Sequence, residues 1–294
     1  MSSYPSIAFD EYLHRSNNHK HRIYALLGGY FEDRGRGKRH AILDFLVEYY
    51  SFKRSHLVTW SPGFPVSIES REQHHIPEGN FWIQRGSHYE INLESLSEKK
   101  QAALRWILSL LESIDQREAR FNCRGMHEWA MVYASTERRH AYLDLRLSQE
   151  HIDDFVRSQP IGCSHIDAFR FFTQQARPLN IFQPERDTQI VHDQPGCIHV
   201  NMDLYKWAYK AWPYISSDLI ADTLELALEA RILDMQASPY DLSMYDLVPV
   251  CIETNEGRLE YEHRQRILSE RARPLRKQLI QAYHQLFESI FVVS

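Results

Sequence analysis

Cysteine is scarce in this chain: 4 residues in 294, at positions 123, 163, 197 and 251. So sparse a set does not build the disulfide framework of a small secreted protein. Glycine (11) and proline (12) are too few for a collagen-like or Pro/Gly-rich disordered chain. With 43% hydrophobic and 25% charged residues, the composition is that of a folded protein able to bury a sizeable core. No stretch approaches about 18 uninterrupted apolar residues, which excludes a transmembrane helix at the sequence level. Met1–Arg22 has neither the apolar core nor the small-residue cleavage site of a signal peptide. A cytoplasmic protein with no membrane contact is therefore expected. A basic excess is also missing, since 34 Lys+Arg face 39 Asp+Glu for a formal charge of −5. Any contact with nucleic acid must then rest on a local patch.

Internal repeats and low-complexity tracts are absent too. What is present is mostly helical periodicity. Ile42, Phe45, Leu46 and Tyr49 predict a first helix. Ser95 and Glu98 read as a capping box ahead of Ala103, Trp106, Ile107, Leu110, Leu111 and Ile114. From Ser61 to His88, Pro62, Gly63, Pro65, Pro77, Gly79 and Gly86 punctuate loops and short strands. Ser216 or Ser217 opens a long helix with two apolar rows, Leu219–Leu233 and Ile220–Leu228, so this helix is expected to be largely buried. Pro249–Ile252 reads as a buried strand, Glu260–Arg271 as a polar helix, and Pro274 as the start of a final helix. The expected fold is mainly α or α+β, with several amphipathic helices and a few short strands. A polar N-terminal segment (1–36) precedes one catalytic-type domain (37–294) in this reading.

Three segments place a cysteine, a histidine and a carboxylate within a few residues. They are Cys123–His127–Glu128, Cys163–His165–Asp167, and Cys197–His199–Asn201–Asp203. Alternate residues of an extended strand share a face, so the last two sets would project together on strands and diverge on helices. Two chemistries fit. In one, His127, His165 and His199 ligate zinc or non-haem iron with one carboxylate, although no Cys-x-x-Cys or His-Glu-x-x-His signature is present. In the other, Glu128, Asp167 or Asp203 works with His127, His165 and His199 in metal-free acid–base or electrostatic catalysis. Asp241 and Glu253 are second choices. For any one histidine, a hydrogen-bonded core residue is an equal alternative. Trp129, Tyr133, Phe169, Phe171, Phe172, Tyr205, Trp207, Tyr209 and Trp212 crowd the same stretch and suit either base stacking or plain core packing. The Arg34–His40 loop, with Lys38 and Arg39, and the run Arg271, Arg273, Arg276, Lys277 are candidate phosphate contacts or solvated basic loops.

Segments His127–Tyr133, Cys163–Thr173, Gln194–Trp207, Leu233–Leu242 and Ile252–Thr254 resemble a bacterial family commonly labelled 3-methyladenine DNA glycosylase. The resemblance runs from about Gly37 to Arg276. It implies an N-glycosidic hydrolase acting on a modified base, a nucleoside or damaged DNA. A carboxylate would stabilise an oxocarbenium-like transition state there, and a flipped base would lie between aromatic faces. On that basis Trp129, Tyr133, Arg170, Asn201, Tyr205, Lys38 and Arg39 are expected to contact substrate. The glycine-bearing hairpin of the helix–hairpin–helix glycosylases is not present.

Overall fold

A computed structural model describes residues 4–70 and 81–293; Pro77 and Gly79 lie outside the described residues. Helices dominate and are joined by one small sheet, a mainly α or α+β fold. The chain divides into two compact units. The first comprises residues 1–112, 204–225 and 275–294, and the second 113–203 and 226–274.

In the first unit, β1 (Ser6–Ile7) is followed by α1 (Phe9–Leu27), α2 (Tyr30–Gly35), a π-helical turn over Phe45–Tyr49, and α3 (Arg54–Val58). Strands β2 (Ser67–Glu69), β3 (Trp82–Arg85) and β4 (His88–Ile91) complete a sheet of order β1-β2-β4-β3. β1 and β2 are parallel, and the other pairs are antiparallel, with Ile68 opposite Tyr89 and Trp82 opposite Ile91. Phe9, Tyr12, Trp60 and Ile68 form the core behind it. The first helix is therefore α1, and it lies within the segment read as a polar tail. Its buried positions are Phe9, Tyr12, His19, Ile23 and Leu27. His19 interrupts that apolar stripe but bonds the Leu57 carbonyl at 2.8 Å, which satisfies it in the core. The expected helix at Ile42–Tyr49 is reduced to the short π-helical turn.

Helix α4 (Glu98–Asp115) begins two residues later than the capping-box reading implied. The Lys100 N–H donates to the Ser97 hydroxyl, and Ser95 instead donates to the Asn92 carbonyl in a 3₁₀ turn. The second unit contains α5 (Met126–Ala130), α6 (Gln149–Ser158), α7 (Ile166–Phe169) and α8 (Gln189–His192). Helices α9 (Ile198–Lys210), α10 (Ser217–Gln236) and α11 (Asn255–Val293) supply residues to both units. Pro249–Ile252 is not a strand: the Val250 N–H caps α10 by donating to the Gln236 carbonyl. Pro274 sits inside α11 rather than opening a new helix. An interior proline costs about 3 kcal/mol, but α11 buries Tyr261, Gln265, Leu268, Ala272, Leu279, Tyr283 and Leu286 on either side of it. No described helix is long and apolar enough to cross a membrane.

Candidate functional site

All three Cys/His segments lie in the second unit and meet there. The His127 and His199 rings are 4.5 Å apart in an edge arrangement, and His165 stacks on His199 at 5.4 Å. The route by which they meet departs from the sequence expectation. The segments are helical or lead into helices, not strands. Cys163–His165 is extended and delivers His165 as the N-cap of α7. On α9, His199 and Asp203 are one turn apart and share a face, and Asp203 takes a 3.3 Å bond from His165 Nε2. Asn201 is fully buried and donates to the Pro195 carbonyl.

Cys123 is placed by a tight reversal. Arg124 (φ 46°) and Gly125 (φ 79°) are both left-handed, a conformation that costs a non-glycine residue such as Arg124 about 1–2 kcal/mol. The turn folds Cys123 back over the first turn of α5. Its sulfur lies 3.2 Å from His127 Nδ1, and the other ring nitrogen, Nε2, lies 2.5 Å from Asp234 Oδ1. The partner is thus a residue the sequence reading did not single out. Asp234 is fully buried on α10, where Arg231 bonds it at 2.5 Å and also bonds Glu128 at 2.8 Å. Both had a visible signal. Arg231 and Asp234 each fall seven residues after an apolar member of α10, Leu224 and Ala227, on a helix already read as buried.

The electrostatics follow from this chain of contacts. The neighbouring Cys163 thiol and the His127 charge together outweigh burial and hold the Cys123 thiol well below its ordinary range. Burial opposes a charged His127, but Asp234 and Cys123 outweigh it and raise the imidazole well above its usual value. Burial and the neighbouring His127, His165 and Arg231 push His199 well below it, leaving a neutral ring. Cys163, beside Cys123, and Cys197, buried, are both raised and stay protonated.

Zinc or iron was one expectation, and the donors can be tested against it. His127, His199 and Asp234 bring ligand atoms within 4.8 Å of one another, as do His165, Asp167 and Asp203. An arginine already neutralises each group: Arg231 holds Asp234, while Arg186 grips Asp167 through both carboxylate oxygens with Arg170 at 3.7 Å. A dication bound about 2.0–2.2 Å from either carboxylate would face a guanidinium at close range. We therefore read both groups as ion-paired in this structure, although their donor atoms lie close enough to share one ion. Protein purified without an affinity tag should carry well under one equivalent of zinc or iron by elemental analysis; one tightly bound equivalent would reverse that assignment.

The other expected contacts are dispersed. Trp129 is buried, donates to the Ala237 carbonyl, and packs edge-on to Phe155. Tyr133 is buried, and Arg170 is exposed over Phe171. Tyr205, in the first unit, packs against Phe52 and Tyr50 as core. Lys38 and Arg39 are exposed in that unit, with Lys38 paired to Asp33. Arg271 forms a two-pronged pair with Glu229, and Arg276 is buried. Glu253 is held by both terminal nitrogens of Arg146, and Asp241 accepts from the Ser243 backbone. Where Cys123, His127 and His199 meet, the cavity is about 10 Å³, the space one water molecule needs. Comparison with family models, with curated proteins and with solved structures finds no match to this chain.

Proposed function

We propose that the second unit is a thiol-dependent hydrolase in which Cys123 is the nucleophile, His127 the acid–base and Asp234 the group that orients the imidazole. The observation that carries this is the unbroken line of contacts from the Cys123 sulfur through His127 to Asp234, at 3.2 and 2.5 Å. A nucleophile within hydrogen-bond reach of a base, itself fixed by a third group, is the arrangement on which covalent catalysis depends. Cys123 is half-buried as a residue, while Cys163 and Cys197 are buried.

In the first half-reaction the Cys123 thiolate attacks an electrophilic carbon, such as a carbonyl. The leaving group departs with the proton His127 Nδ1 held toward sulfur. Asp234 keeps that nitrogen aimed at Cys123, and Arg231 keeps Asp234 ionised in a site that would otherwise expel its charge. A thioester remains on Cys123, with His127 neutral.

The N-glycosidic reading draws on the same unit but asks for an ionised carboxylate facing the sugar carbon. Glu128, Asp167 and Asp203 are each engaged, by Arg231, Arg186 and His165. That engagement favours the thiol. Incubation with alkylated duplex should therefore release no base in an Asp167-dependent manner; excision abolished by Asp167→Asn would restore the glycosidase reading.

The direct test is alkylation by iodoacetamide followed by peptide mass analysis. At neutral pH, Cys123 should react before Cys251, the other half-buried cysteine, which burial and Glu253 push upward. The rate follows the thiolate fraction. It should stay on its plateau below pH ~8.5, where an ordinary thiol has begun to lose it, and decline only as pH falls through the depressed Cys123 value. Preferential labelling of Cys251, with Cys123 inert, would overturn the proposal.

A further inference from the structure

We infer that Tyr261 and Gln265 hold the water that hydrolyses the Cys123 acyl intermediate, so that the reaction ends in hydrolysis rather than transfer to a larger acceptor. This deepens the thiol-hydrolase reading and rests on it. The two residues are one turn apart on α11 and line the same cavity as Cys123, His127 and His199. They are 0% and 1% exposed, yet the Tyr261 hydroxyl and Gln265 Oε1 have no hydrogen-bond partner in the protein. Buried polar groups are nearly always paired, and an exception calls for a ligand. The Gln265 amide is not free to turn away, because its Nε2 donates to the Gly196 carbonyl at 2.7 Å. That bond fixes Oε1 as an acceptor toward the cavity.

The cavity volume and its polarity select the ligand. About 10 Å³ admits one water and little else. A donor from Tyr261 and an acceptor from Gln265 match one lone pair and one proton of that water. Its second proton is available to His127, neutral once its own proton has left with the first product. Its second lone pair is then free for the thioester carbon. The step balances: the water oxygen bonds to carbon, one proton passes to His127, and the carbon–sulfur bond breaks. Cys123 returns as thiolate beside a protonated His127, and the acid product leaves.

The test uses the full-length protein with p-nitrophenyl acetate as the acyl donor. Wild type should show a nitrophenol burst, followed by steady turnover. In Gln265→Leu and in Tyr261→Phe the burst should persist, with acetyl on Cys123 by mass, while the steady rate falls about 10²-fold, as for a misplaced reactant. Hydroxylamine attacks the thioester without needing the water site, so it should restore turnover in both variants; damage to the fold would not be rescued. A steady rate unchanged in both variants would overturn the water site while leaving the thiol intact. Loss of the burst in both variants would also overturn it, by assigning these residues to acylation or folding. No acetyl on Cys123 in wild type would remove the thiol reading and the water site together.

Discussion

Replacing Cys123 by alanine is expected to abolish turnover of an activated acyl ester while leaving the fold intact. The residue is half-buried and its side chain small, so its loss removes little packed volume. What it removes is the thiol hydrogen-bonded to His127. His127→Ala should lower the acylation rate by about 10²–10⁴-fold, the range for losing a positioned acid–base. It should also return the Cys123 alkylation profile toward that of an ordinary thiol, because His127 is one of the groups holding the thiol down. Cys123→Ser should fail as well, since a serine hydroxyl is not ionised by this pair. Stopped-flow nitrophenol release measures both rates. Residual turnover in Cys123→Ala within tenfold of wild type would show that another group does the chemistry.

Arg231→Met should produce the largest loss of stability, about 3–5 kcal/mol, the cost of leaving buried charges unpaired. Arg231 is 2% exposed, and one of its nitrogens serves both Glu128 and Asp234, which are 3% and 0% exposed. Without it, two carboxylates share a low-dielectric pocket in which His127 is the cation bonded to Asp234. Denaturant titration of the variant, read at an unchanged slope, gives the loss directly. The pH dependence gives a second sign. Asp234 is held far below its ordinary value by His127, His199 and Arg231, against burial that opposes its charge. In wild type its stabilisation is present above the unfolded carboxylate pKa, about 3.9, and is lost as pH falls through the depressed value. In Arg231→Met that depression shrinks, so acid unfolding should begin at higher pH. A loss below about 1 kcal/mol would mean that water reaches the cluster and that it is not buried as described.

Several elements were legible because local pattern and tertiary packing agree. α10 shows two apolar rows and is buried on nearly all sides, and α4 buries Ile107, Leu110, Leu111 and Ile114 of its expected stripe, with Leu104 inside where Ala103 and Trp106 were expected and are exposed. α1 was hidden because a histidine and a run of polar residues occupy most of its length. Its helical stripe emerges only when Leu57 satisfies His19. The continuity of α11 through Pro274 was equally hidden, since its apolar face beyond the proline outweighs a local penalty that a sequence pattern takes as a stop.

By itself the sequence determined the mainly helical composition, the absence of a membrane-length apolar helix, and the three Cys/His segments as the chemically loaded part of the chain. Residue type and spacing carry those features, and neither depends on distant partners. Only the tertiary structure decided which partner each group meets. Cys123 and His127 are four residues apart, and their pairing depends on the left-handed turn at Arg124 and Gly125. Asp234 reaches His127 across 107 positions, and Tyr261 and Gln265 come from a helix later still. A histidine's role depends on the charges and burial around it. His127 is raised and His199, 4.5 Å away, is lowered because Asp234 and Cys123 outweigh burial at the first, while burial and the neighbouring cations prevail at the second. Such differences are made by packing, and no spacing along the chain encodes them.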